Sequence, residues 1–178
     1  MSGLVALGDS ITAAEGSWAR WVARALGLPH TSDAVTGAVV AHVLRTQLPR
    51  VRAGHDVALL YAGVNDARSP AFDPDAYERD LGLVAEGLRE RAERMLLVTL
   101  PVRLGEPTAA PKPEIANAAV RRVAAATGAA LCELDDLQGD DLLEPDLVHP
   151  TAAGQLAIAD RAARVLGAPR LPSALGTP

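Results

Sequence analysis

The 178-residue sequence holds one cysteine, Cys132, and aromatic residues make up only 3% of it. A single thiol excludes a disulfide framework and a multi-cysteine metal site. Within an apolar stretch it reads as a small buried hydrophobe. Basic runs are missing too: Arg20, Arg24, Arg45, Arg50 and Arg52 are scattered among apolar positions, and the formal net charge is −5. Both features argue against a nucleic-acid partner. No apolar run approaches the ~18 residues of a membrane helix, so no membrane span is expected. Met1-Ser2-Gly3 opens neither a basic region nor a long apolar stretch, so no signal peptide is read and a cytoplasmic location is expected. His30, His42 and His55 lack metal-ligand spacing and are assigned structural or surface roles. Asp135-Asp136 and Asp140-Asp141 are not part of a calcium-loop pattern and read as a solvated loop.

Hydrophobic residues account for 49% and charged residues for 22%, the balance of one globular domain. Short apolar runs at Leu4–Leu7, Asp56–Tyr61, Met95–Leu100 and Ala129–Leu134, with a weaker one near His30–Val35, predict strands covered on both faces. Between them, helical patterns run over Trp18–Leu26, Val39–Leu48, Asp75–Arg91 and Glu114–Ala126, and Thr151–Leu166 follows. Pro74-Asp75 and Pro111-Lys112-Pro113 supply helix-start chemistry. Alternation of this kind implies parallel strands joined by crossover helices. The expectation is one three-layer α/β/α sandwich with a five-stranded parallel sheet over residues 1–167. A proline-containing tail, 168–178, is expected to pack loosely.

Three motifs fall at strand ends, where the ligand crevice of an open parallel sheet lies. Gly8-Asp9-Ser10-Ile11-Thr12 follows the first strand, and its serine can stand exposed on a tight turn. The same residues read equally as a turn and helix cap. Gly63-Val64-Asn65-Asp66 follows the third strand. Its asparagine amide can donate to an oxyanion, or the pair can form a turn and cap. In Asp146-Leu147-Val148-His149-Pro150 a carboxylate lies three positions before an imidazole on a short loop. The carboxylate can hold one ring nitrogen and leave the other for a nucleophile; alone, the motif reads equally as a surface pair. Together they supply a nucleophile, an oxyanion donor, and a base with its orienter, the parts of an activated serine.

With these motifs, from Leu4 to about Leu166, the sequence resembles the SGNH hydrolases, the GDSL esterase/lipase family. The resemblance implies that Ser10 is the nucleophile, His149 the base and Asp146 its orienter. It gives Asn65 the side-chain oxyanion role and adds Gly37, in Ser32-Asp33-Ala34-Val35-Thr36-Gly37, as a backbone donor beside the N–H of Ser10. The chain departs from the family at Ser32, where the family has Asn. The implied fold is flavodoxin-like. The implied activity is a serine esterase acting on a small-molecule acyl ester through an acyl-enzyme, with no metal and no organic cofactor.

An acyltransferase or thioesterase on the same triad is the alternative within that chemistry. A non-catalytic flavodoxin-like binding module is the alternative outside it. Against the module, the first loop lacks a phosphate cradle, and Asp9 would repel an anion. Asp9 and Asp66 are expected to hold their loops through backbone N–H groups, with ordering of the site as the second reading for either. The loops Ala67–Asp73 and Pro101–Pro113, with Arg68, Phe72, Arg103 and Glu106, are expected to shape the pocket. Acyl length and oligomeric state are open at this level.

Overall fold

Leu4, Val5, Ala6 and Leu7 have no polar side chain to present to water on either face, and the strand they form, β1 (Leu4–Gly8), is buried throughout. The computed structural model describes residues 3–105 and 109–168. Glu106 and, apart from Ala168, the expected tail lie outside the described residues. Five strands form one all-parallel sheet in the order β2-β1-β3-β4-β5. The others are β2 (His30–Ser32), β3 (His55–Tyr61), β4 (Ala92–Val98) and β5 (Ala130–Cys132). Parallel neighbours need crossover helices, and these cover both faces of the sheet. The helices α2 (Trp18–Leu26) and α7 (Ala152–Val165) pack together, as do α5 (Pro74–Arg89) and α6 (Lys112–Thr127). Short helices α1 (Ser10–Ala13), α3 (Val40–His42) and α4 (Val64–Arg68) sit between them in the chain.

The three-layer architecture agrees with the expectation from the sequence, and the differences are local. The edge strand β2 is polar and largely exposed, because it has a neighbour on one side only. β4 begins at Ala92, ahead of its apolar run, because Ala92 and Arg94 pair with His55 and Val57 of β3. Backbone pairing, not hydrophobicity, sets that end. β4 stops at Val98 and β5 at Cys132, short of the apolar runs, because side chains take over. The Asn117 amide bonds both backbone groups of Leu100, and the Thr99 hydroxyl accepts from the Leu134 N–H.

The expected helix over Val39–Leu48 is α3 continued by a wide π-helical turn, Val43–Gln47, and a tight one, Leu48–Arg50. Pro49 has no N–H to continue the ladder. Cys132 is buried, as expected, and burial pushes its thiol up to about 12.

Asp135 corrects the reading of a merely solvated loop. It accepts from the Thr99 hydroxyl, Asn117 and Arg121 and ties β4, α6 and the segment after β5 together. Among the described residues, no helix is long and apolar enough to cross a membrane.

Candidate active site

The carboxyl ends of β1 and β3 are in register, with Gly8 opposite Tyr61. A Cβ on Gly8 would collide with the Tyr61 carbonyl oxygen, so the turn after β1 requires glycine. Gln47 meets Gly8 from the π-helical turn: its side chain accepts from the Gly8 N–H at 2.9 Å and donates to the Gly8 carbonyl at 2.8 Å. Asp9 then caps α1 by accepting from the Ile11 N–H at 3.0 Å. Ser10 becomes the first residue of that helix, where its own N–H has no partner within the helix. From α7, Gln155 accepts from the Trp18 N–H at 2.8 Å and donates to the Ile11 carbonyl at 3.1 Å. The turn is thus gripped from two distant elements by buried glutamines that the sequence reading missed. Nothing in the local pattern singles them out, since each lies in a helical stretch that carries other polar residues.

Asp9 is fully buried, and its second oxygen has no hydrogen-bond partner among the described residues. Burial pushes its carboxyl up to about 7 against the pull of the Ile11 N–H and of His149, and Asp66 adds to the rise.

The Asp146–His149 side is local. A tight loop closes with Leu143 bridged to Pro150. Within it one Asp146 oxygen accepts from the N–H groups of Val148, at 2.9 Å, and His149, at 3.0 Å. The other lies 2.6 Å from His149 Nδ1. Burial of the Asp146 carboxyl opposes its ionisation but is outweighed by hydrogen bonds from the His149 backbone, the ring and the Val148 N–H, which bring it down to about 2. Leu147 takes up a positive φ of 54° in this turn, and its carbonyl accepts from Gly105. α7 begins just beyond, capped by the Thr151 hydroxyl rather than started by Pro150.

His149 Nε2 stands 3.0 Å from Ser10 Oγ, across 139 positions of sequence. The cap and the serine of the first motif fall on different residues: Asp9 caps α1, and Ser10 meets the imidazole. The second motif is not a cap. Gly63 occupies the N-cap of α4, with the Tyr77 hydroxyl where its Cβ would be. Asn65 and Asp66 reach the neighbouring loop instead. Asn65 Nδ2 donates to the Ala38 carbonyl at 3.0 Å, which leaves its second N–H free. Asp66 accepts from the Val40 N–H, so it holds a loop other than its own.

Gly37 is exposed, with φ of 77°, and its N–H bonds no described residue. Ser32 accepts from the Ala34 N–H at 3.3 Å, a turn contact that its hydroxyl makes where the family has Asn. The N–H groups of Ser10 and Gly37 and the free Asn65 N–H are the kind of donors that can stabilise an oxyanion.

A cavity of about 550 Å³ beside the base loop is lined by Arg103, Asp140, Leu143 and Leu147, and none of the five candidate residues lines it. A second, of about 200 Å³, lies between Val40, Asp66, Phe72 and Tyr77. Among the described residues, no group of three His, Cys, Asp or Glu side chains is placed to hold a metal ion.

The chain matches the GDSL-like Lipase/Acylhydrolase family over residues 6–157. No match was found among curated proteins. Among solved structures it is similar to LAE5, an alpha/beta hydrolase enzyme from the metagenome of Lake Arreo, Spain. The TM-score is 0.79 and the identity 19%, over 92% of this chain and 94% of that one. It is similar to Axe2, an acetylxylan esterase from Geobacillus stearothermophilus, with a TM-score of 0.74 and 19% identity over 96% of each chain. It is also similar to TesA, with a TM-score of 0.75 and 20% identity over 93% of this chain and 98% of that one. At these identities the likeness is one of fold.

Proposed function

The chain belongs to the GDSL-like lipase/acylhydrolase family and is a carboxylic ester hydrolase, and we propose that it works as a serine esterase with Ser10, His149 and Asp146 as its triad. The observation that carries this reading is the unbroken chain from Ser10 Oγ to His149 Nε2, 3.0 Å, and from His149 Nδ1 to Asp146, 2.6 Å. The Nδ1–H donates to the carboxylate, which leaves Nε2 as an acceptor for the serine proton.

Ser10 Oγ adds to the acyl carbonyl as its proton passes to Nε2. The oxyanion accepts hydrogen bonds from the N–H groups of Ser10 and Gly37 and from the Asn65 amide. Collapse of the tetrahedral adduct breaks the ester C–O bond, and the Nε2 proton goes to the leaving alcohol. Water then adds to the acyl-enzyme with His149 again as base, and Ser10 leaves with the proton. The His149 side chain is 45% exposed. Water can therefore reach the base from bulk solvent.

The substrate is a small-molecule acyl ester. The acetyl esters on which Axe2 is named to act belong in a first substrate panel, beside nitrophenyl esters of increasing acyl length. The direct test is mass spectrometry after incubation with a fluorophosphonate. One adduct on Ser10, lost in Ser10→Ala, is expected. An unmodified protein would overturn the reading.

A further inference from the structure

The segment between β2 and α3 carries Gly37 and is tied down from two sides. Its first half hangs from β1: the Asp33 N–H donates to the Ala6 carbonyl and the Val35 N–H to the Gly8 carbonyl, each at 3.1 Å. A turn follows, closed by the Ala38 N–H on the Val35 carbonyl at 3.1 Å. Its second half is held by two adjacent residues of α4. Asn65 donates to the Ala38 carbonyl at 3.0 Å, and both oxygens of Asp66 take the Val40 N–H, at 3.3 and 3.1 Å. Gly37 lies immediately before one tie and three positions before the other.

Resting on the reading of Gly37 and Asn65 as oxyanion donors, we propose that Asp66 is a positioning residue: its clamp on the Val40 N–H holds the Gly37 segment in register with Asn65, so that the two donors converge on one oxygen. Asn65 and Gly37 come from different crossovers of the sheet, and only the Ala38 and Val40 bonds link α4 to this segment through hydrogen bonds among the described residues. Asn65 cannot do this alone. One flexible amide bond fixes a distance, whereas a second tie two residues along also fixes the direction of the chain. The carboxyl is kept there against its surroundings, since burial pushes it up to about 6 while the Val40 N–H holds it down. Asp66 also stands in the first turn of α4, where its own N–H helps to hold the carboxyl down, but both of its oxygens reach out of the helix to Val40.

The clamp can be broken from either end. Asp66→Ala removes the acceptor. Val40→Pro removes the donor at the first residue of α3, where proline is best tolerated in a helix, and the extended Val39, with φ of −94° and ψ of 164°, suits a residue before proline.

On a nitrophenyl ester, Asp66→Ala is expected to lower kcat about 10-fold with KM within about twofold, since a displaced donor loses part of the 10²–10³ that an oxyanion donor is worth. Asp66→Asn keeps an oxygen for Val40 and is expected to recover kcat to within about threefold of wild type. Val40→Pro is expected to repeat the Asp66→Ala loss, and the double variant to be no slower than the slower single one, as two ends of one contact behave. Raised KM with unchanged kcat in Asp66→Ala overturns the proposal. So do losses that multiply in the double variant, or an Asp66→Asn as slow as Asp66→Ala.

If melting shows Asp66→Ala unfolded, Val40→Pro decides alone: wild-type kcat in that variant overturns the clamp. Asn65→Ala in the same assay separates the layers. If it keeps wild-type kcat, the oxyanion reading itself fails; if its kcat falls about 10²–10³-fold while clamp variants behave as wild type, only the clamp fails.

Discussion

Ser10 follows a fully buried aspartate and a strand end gripped by Gln47, with Gln155 holding Ile11 on its other side, whereas Asp146 and His149 stand about half exposed on a loop tied by the Asp146 side chain to its own backbone. The two halves of one site are therefore built from different interactions. Around Ser10, buried polar groups would be costly unpaired, so each bond contributes to folding as well as to position. Around His149, water competes for every group, and the same distances contribute little to stability. Among the described residues, one hydrogen bond joins Ser10 to this loop, from Oγ to His149 Nε2.

The largest expected effect is at that contact. Ser10→Ala should lower kcat about 10⁶-fold, as loss of a triad nucleophile does elsewhere. Its melting temperature should stay within a few degrees, because a half-buried turn serine adds little to folding. More than a tenth of normal turnover would remove Ser10 from its role.

Asp146→Asn should cost about 10⁴-fold in rate. The amide keeps an oxygen for the Val148 and His149 N–H groups but offers N–H to Nδ1, which selects the wrong tautomer. Stability should change by no more than about 1 kcal/mol, since the pair is exposed. Denaturant titration beside the rate measurement checks both, and a large stability loss would break the contrast drawn between the halves.

Gln47→Ala tests the opposite half. It leaves the buried Gly8 N–H without its acceptor and should lower stability by roughly 2–3 kcal/mol, from one unpaired donor plus a small void. Unfolding free energy within about 0.5 kcal/mol of wild type, the size of an ordinary surface substitution, would show that the grip on Gly8 is dispensable.

A pH slope tests the buried carboxyls. The Asp9 carboxyl titrates near 7 in the folded chain and near ~3.9 when unfolded. Between those values the folded state holds the extra proton, so this group's stabilising contribution is full below about pH 4 and is lost as pH rises through 7. Asp66, raised to about 6, adds a slope of the same sign. Asp9→Asn still accepts from Ile11 but cannot ionise. Its stability should fall less than that of wild type between pH 4.5 and 8, by up to about 1.4 kcal/mol per pH unit. Parallel curves for the two proteins would mean that Asp9 is already ionised in the fold.

What the sequence by itself determined is what depends on local pattern. Trp18–Leu26 forms the helix its apolar stripe predicts, and the buried runs become the central strands, because periodicity and burial are properties of neighbouring residues. The Asp146–His149 pair was legible for the same reason: both groups lie within one turn of chain. Family resemblance, not spacing, pointed to Gly37. Tertiary structure alone decided the rest. Gln47 meets Gly8 across 39 positions and Gln155 meets Trp18 across 137, and Asp66 reaches past its own helix to Val40. These bonds join residues that the sheet order brings together. No local propensity marks which polar side chain will find its partner there, since the partner is a backbone group that every residue carries.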